Sequence, residues 1–267
     1  MLFFITTAMA TVARGEGANR YDLVGQVLEP LTAVFMPEHA GKAFAATFVL
    51  EEATGLPKEF LGREAKVVFQ PPGRAKVTAS LAGETWVLCR VDQELWGVPK
   101  EKWSALETLS PRPKKGKRSK RQPGLPDFAL PFPPEQLVFL PVVFQVDDEG
   151  PSPTGARLLK VRLTPAIAEG LRQEAAKAGE NPAEWAARIA VRELPGERPR
   201  LERIEVFRPG WRFAAEVRRW TLVREVPASY WKPDPAAGAP FRLTGAEARR
   251  WWEGALREWQ EQSGARE

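Results

Sequence analysis

"RLLKVRLTPAIAEGLRQEAAKAGENPAEWAARIAVREL", residues 157–194, is the stretch on which the reading of the fold turns. Its first seven residues alternate. Leu159, Val161 and Leu163 point to one side and Leu158, Lys160 and Arg162 to the other, the period of two that a half-buried strand needs. Thr164 and Pro165 then form an N-cap and first-turn pair, and Ile167, Leu171 and Ala175 recur at helical spacing. Gly179 falls where a helix end commonly takes a positive φ. Asn181, Pro182 and Glu184 repeat the starting signals, with Trp185, Ile189 and Leu194 as the buried face of a second helix. The stretch therefore predicts a strand–helix–helix unit.

Upstream, "QLVFLPVVFQV" (136–146) predicts a strand that Pro141 interrupts or confines to an edge, followed by an acidic turn, "DDEGPSPTG". It could pair with 157–163 as an ordinary hairpin. Downstream come a β-hairpin over 201–224 and a C-terminal helix over 245–262. Thr244 and Glu247 have capping-box spacing there, and Ala248, Trp251, Trp252, Ala255, Leu256 and Trp259 fall on one stripe. Residues 1–110 are β-prone: "FAATFVL" (44–50), "EAKVVFQ" (64–70), "AKVTASL" (75–81) and "ETWVLCRV" (84–91) are separated by Pro/Gly turns, and a short helix is expected over 100–106. The opening residues lack the basic region of a secretory leader and read as a first strand, Leu2 to Val12. The expected architecture is α+β: a β-rich barrel- or sandwich-like domain (1–110), a basic Pro-rich linker (111–135), and a mixed α+β domain (136–267).

Composition excludes several chemistries. One cysteine, Cys89, and one histidine, His39, among 267 residues permit no internal disulfide and no zinc site of nitrogen and sulfur ligands. They leave little for nucleophilic catalysis, and no cofactor motif is visible. A carboxylate-only metal site remains open at Asp147, Asp148 and Glu149, which would suit a nuclease. No apolar run approaches the roughly 20 residues that span a bilayer, so no membrane partner is expected and the cytoplasm is the expected compartment. Abundant Arg, 25 Pro and only two Asn suit a heat-adapted organism or a GC-rich genome alike.

The charge is local. Arg112, Lys114, Lys115, Lys117, Arg118, Lys120 and Arg121 supply seven cations without an acid; removing them from the net +5 leaves −2. Such a run grips phosphates without reading sequence, or serves as a linker extended by self-repulsion. Beyond it, Arg212, Arg218 and Arg219 interleave with Trp211 and Trp220, as in proteins on which bases stack.

Residues 157–194 also resemble the ribbon-helix-helix DNA-binding family, in which two chains pair their strands and insert the ribbon into the major groove. The resemblance implies that Lys160 and Arg162 read base edges and that the amides near Asn181 approach a phosphate. The expected function is accordingly non-enzymatic binding of nucleic acid, DNA or RNA, by a homodimer or a larger protein complex. The alternatives are an assembly component of a protein or ribonucleoprotein complex and a carboxylate-metal nuclease.

Overall fold

Short runs of alternating apolar residues, broken by turn-forming glycine and proline, pair here into one antiparallel sheet. The computed structural model describes residues 19–54, 58–81, 83–104, 124–128, 140–176 and 181–250. Its strands are β1 (Ala43–Ala53), β2 (Glu64–Gln70), β3 (Arg74–Leu81), β4 (Glu84–Val91), β5 (Glu94–Val98), β6 (Phe144–Pro151), β7 (Arg157–Leu163), β8 (Ala186–Arg192), β9 (Arg200–Arg208), β10 (Trp211–Val223) and β11 (Phe241–Thr244). They lie in the order β11-β5-β4-β3-β2-β1-β10-β9-β8-β7-β6. The helices are α1 (Arg20–Thr32), α2 (Lys100–Ser104), α3 (Leu140–Val143) and α4 (Pro165–Ala176).

The expected two-part α+β arrangement is thereby corrected. Two meanders, β1–β5 and β6–β10, join through β1 and β10, where Phe44 faces Leu222 and Ala46 faces Trp220. That seam is made by residues about 170 positions apart, and nothing in the local pattern announces it. The second helix expected after Asn181 is also corrected. Pro182–Glu184 makes a single 3-10 turn, and the chain then extends as β8, paired to β7 on one side and β9 on the other. Ile189 fits the helical series with Trp185 and equally the strand series Ala187, Ile189 and Val191, and two waiting strand edges decide between them. In the same way β6 begins only at Phe144, after the helical residues 140–143, and runs through the acidic residues expected to turn.

The two faces of the sheet differ. The first is covered by α1, whose Leu23, Val24 and Val27 pack against Val146, Leu159, Val191, Leu201 and Val217. The helix touches both β6 and β10, four strands apart. Thirteen residues at 1.5 Å make about 20 Å, and four spacings of about 4.8 Å make about 19 Å. The helix thus lies across the strands and matches their combined width. Beyond it, Val34 covers Phe44 and Ala46, and Phe35 meets Phe69 with ring centroids 5.4 Å apart. The second face is apolar only over β1–β5, where Trp231 and Tyr230 close a core of Ala43, Ala45, Val68, Cys89 and Trp96. Over β6–β10 it is charged. The capping box at Thr244 is closed, with Glu247 accepting from the Thr244 amide at 2.8 Å. Residues 245–250 are helical, and the remainder of the expected C-terminal helix lies outside the described residues, as does the expected first strand, 2–12.

Candidate ligand-binding cleft

Beta-bulges open a cleft beside α1. In β10, Val217 and Arg219 face the consecutive residues Phe48 and Thr47 of β1, so Arg218 is an extra residue. In β9, Leu201 and Arg203 face Val191 and Ala190 of β8, so Glu202 is extra as well. A bulge bends its strand and increases local twist. Both bulges lie just past Arg203·Glu216, the last register pair between β9 and β10. From there the two strands part, and β10 continues with β1 alone.

The gap between them forms a cleft of about 900 Å³. Its apolar side is made by Val27, Pro30 and Ala33 of the first-face covering and by Leu201, Val217 and Leu222 of the strands. Trp220 also lines it and fixes the helix to the sheet, its indole N–H donating to the Val27 carbonyl at 2.7 Å. Pro30, inside α1, has no N–H to give, so the Gln26 carbonyl beside the cleft loses its helical donor. The rim is charged. Arg198 pairs with Glu29 at 3.2 Å and Arg218 with Glu216 at 2.8 Å, while Glu202 is held by Arg192. Arg200, Arg219 and Glu197 line the same rim without an ion-pair partner among the described residues.

The second face carries a different cluster. Glu205, 1% exposed, accepts from Arg188 at 2.8 Å and from Arg212 Nε at 3.0 Å, and lies 3.5 Å from Arg203. Burial alone would raise its pKa. The hydrogen bonds from Arg212 and Arg188 and the charges of Arg203 and Arg212 outweigh burial and hold the carboxyl below its ordinary value. Around it, Glu149 holds Arg188, Glu51 holds Arg203 at 2.7 Å, and Glu52 pairs with Arg212 at 3.3 Å.

Of the cations singled out in the sequence, this cluster takes Arg212, and others are engaged nearby. Arg212 belongs to Glu205 and Glu52; Arg162 pairs with Asp147 at 3.1 Å; Lys160 sits 5.7 Å from the Phe207 ring centroid. Asn181 caps its own turn, accepting from the Ala183 amide at 3.3 Å and donating to Glu184 at 2.6 Å. Arg218 and Arg219 alone of these reach the cleft. Arg112, Lys114, Lys115, Lys117, Arg118, Lys120 and Arg121 lie outside the described residues.

The nuclease alternative fails on the same pairing. Asp147, Asp148 and Glu149 are each taken by an arginine, respectively Arg162, Arg157 and Arg188. The Arg157 hydrogen bond lowers the Asp148 pKa. Among the described residues no three His, Cys, Asp or Glu side chains gather as metal ligands. Near Trp231, burial pushes the Cys89 thiol up to about 12, far from the thiolate a nucleophile needs. Lys76 is spent donating to the Tyr230 carbonyl at 2.8 Å over the Tyr230 ring.

Sequence reasoning missed Val27, Pro30, Ala33, Leu201, Val217 and Leu222. They are ordinary apolar residues of a helix and two strands, and only the parting of β9 and β10 makes a site of them. Arg200 was hidden among thirteen basic residues between 198 and 259.

No protein-family model matches the chain, and no curated protein matches it in sequence. Among solved structures it resembles the lipoprotein LppX of Mycobacterium tuberculosis, with 12% identity, a TM-score of 0.36, and coverage of 76% of this chain and 94% of that one. LprF of Mycobacterium bovis gives 14% identity and a TM-score of 0.35, covering 83% of this chain and 100% of that one. A LolA superfamily protein of Nitrosomonas europaea gives 9% and 0.28, covering 82% and 100%. At these scores the likeness is slight, and the functional reading stands on the chain's own geometry.

That geometry corrects the nucleic-acid expectation. β7 is paired on both edges within its own chain, which leaves no edge for a partner's strand in a ribbon, and Arg162 and Arg212 are neutralised by carboxylates. No helix among the described residues is long and apolar enough to cross a membrane.

Proposed function

We propose that this chain is a non-catalytic binding protein that holds an apolar or amphiphilic small molecule, with one acyl-type chain seated between α1 and the parted strands β9 and β10. A single observation carries this reading: the bulges at Arg218 and Glu202 open a cleft of about 900 Å³ directly onto the first-face core. Small-molecule pockets measure about 300–1,000 Å³, are mostly apolar, and carry a few polar groups that orient the ligand. The cleft matches that size, but charged and polar side chains make up more of its lining than the apolar residues at its base, so the rim carries much of the recognition.

The energetics favour an amphiphile over a plain hydrocarbon. Each buried methylene gains about 0.8 kcal/mol, so ten would gain about 8 kcal/mol. Immobilising the ligand costs at least about 4 kcal/mol. The remainder, about 4 kcal/mol, corresponds to millimolar affinity. Useful affinity requires polar contacts at the rim as well.

The test is titration with N-phenyl-1-naphthylamine, a neutral apolar dye that brightens when it leaves water. The wild-type protein should bind it saturably. Gln26→Trp, a change at an exposed position on the cleft wall, should fill the space and weaken binding at least tenfold while the melting temperature stays unchanged. Equal dye binding by both proteins would place the dye elsewhere and remove the proposal's support.

A further inference from the structure

The rim of the cleft carries an unbalanced charge. Its rim holds four arginines and three glutamates. Three of these charges are spent on stated partners: Arg198 on Glu29, Arg218 on Glu216, and Glu202 on Arg192. Arg198 also accounts for Glu29. What remains is Arg200 and Arg219 against Glu197, a surplus of one positive charge at the mouth of the cleft. The bulge explains why Arg219 is available there. In an unbroken strand, Arg218 and Arg219 would project to opposite faces. With an extra residue inserted, both line the same cleft. The partner side of the mouth brings Arg200, the first residue of β9.

The backbone adds to this. β10 pairs with β9 only as far as Glu216, and from Arg218 to Val223 its edge on that side has no strand beside it among the described residues. Backbone N–H groups of such an edge are neutral donors at fixed positions. Two guanidiniums and a strand edge form a receptor for a tetrahedral or planar oxyanion, because arginine donates in a fork that matches carboxylate and phosphate oxygens.

We infer that the ligand of the cleft is a single-chain anionic amphiphile, its carboxylate or phosphate monoester head held by Arg200 and Arg219 and its chain running inward over Val27, Leu201 and Leu222. This inference rests on the reading of the cleft as a binding site for an apolar molecule and adds the chemistry of the head group.

The test displaces bound N-phenyl-1-naphthylamine with dodecyl phosphate, dodecanoate, dodecanol and inorganic phosphate. Dodecyl phosphate and dodecanoate should displace the dye at least tenfold more tightly than dodecanol. The comparison between the two anions identifies which head the rim prefers. Inorganic phosphate should not displace it, since the head alone lacks the chain. Arg200→Gln and Arg219→Gln should each weaken the anionic amphiphiles about tenfold, and the double variant about a hundredfold, with dodecanol unchanged. Arg224→Gln, outside the cleft lining, should alter nothing. Both replaced residues are exposed, so folding is not at stake, and a melting curve confirms it. If dodecanol competes as well as dodecyl phosphate, or if the double variant retains wild-type affinity for the anions, the head-group assignment is wrong while the cleft still binds apolar molecules. If the wild-type protein binds no dye at all, both readings fall.

Discussion

Replacing Glu205 by Gln should be among the most damaging single-atom changes available on the second face of the sheet. The Glu205 side chain is 1% exposed and receives hydrogen bonds from Arg188 at 2.8 Å and Arg212 at 3.0 Å, with Arg203 at 3.5 Å. Hydrogen bonds to a charged group contribute about 1.5–3 kcal/mol each. Breaking a fully buried ion pair costs about 3–5 kcal/mol. The three arginine side chains are 31%, 36% and 47% exposed, so water recovers part of what they lose. The expected cost is therefore at the lower end, about 3 kcal/mol, or a fall of about 6–12 °C in melting temperature for a chain of this size. The pH dependence gives a sharper check. Because the folded-state pKa of Glu205 lies below the ordinary value of 4.5, its contribution is present in full above that value. It is lost as pH falls through 4.5 toward the folded-state pKa. Thermal melts followed by circular dichroism from pH 3 to pH 8 should show the wild-type advantage at neutral pH shrinking below about pH 5. An E205Q protein within 1 kcal/mol of wild type at pH 7, or a gap that does not narrow in acid, would refute this account of the cluster.

Gly97→Ala should destabilise the far end of the sheet by about 1–3 kcal/mol, since a Cβ there would stand 2.6 Å from the Trp103 ring, whose indole N–H donates to the Val98 carbonyl at 3.1 Å. Chemical denaturation measures it, and an unchanged midpoint would mean that Trp103 moves aside freely. Cys89, fully buried and with its pKa raised to about 12, should resist iodoacetamide at pH 8 in the native protein and react readily after unfolding in urea. Mass spectrometry counts the adduct, and rapid native labelling would contradict the packing around Trp231.

Four of the five strands of the first meander were legible because they are β-prone runs ending at turns, and 64–70 and 84–91 agree with β2 and β4 residue for residue; β5 was not read. The hairpin of β9 and β10 was legible too, with Gly210 at its turn taking φ +68°. The joining of the two meanders was not. The β1–β10 seam depends on Phe44, Ala46 and Phe48 meeting Leu222, Trp220 and Val217, and apolar residues of this kind carry no mark of their partner. The abrupt change in composition near residue 111 suggested a domain boundary, whereas the sheet runs straight through the pairing of the two sides. At 186–192, Ile189 fits a helical series with Trp185 as well as a strand series with Ala187 and Val191, and the edges of β7 and β9 made the segment a strand. The cations misled for a related reason. Arg162 and Arg212 look like part of a basic surface in one dimension, while in three dimensions Asp147 and Glu205 stand opposite them.

The charged cluster and the cleft are parts of one arrangement. On the second face, Glu51 of β1 reaches over β10 to Arg203 of β9, Glu205 joins β9 to Arg212 of β10 and Arg188 of β8, and Glu149 ties Arg188 to β6. These contacts bind five strands together as far as the Arg203·Glu216 pair. Immediately beyond it stand the bulges of Glu202 and Arg218, and the strands separate. An opening in a sheet would ordinarily be closed by strand pairing or widened by fraying, because an unpaired edge costs hydrogen bonds. Here the cluster fixes where pairing stops, and α1 spans the gap from the other face through the Trp220–Val27 bond. The width of the cleft is therefore set on both sides, by carboxylate–guanidinium contacts behind it and by the helix across it. Loosening the first should be felt in the second. E205Q, measured well below its melting temperature, should bind N-phenyl-1-naphthylamine more weakly although no atom of Glu205 lines the cleft, whereas G97A, also destabilising but remote from the parted strands, should not.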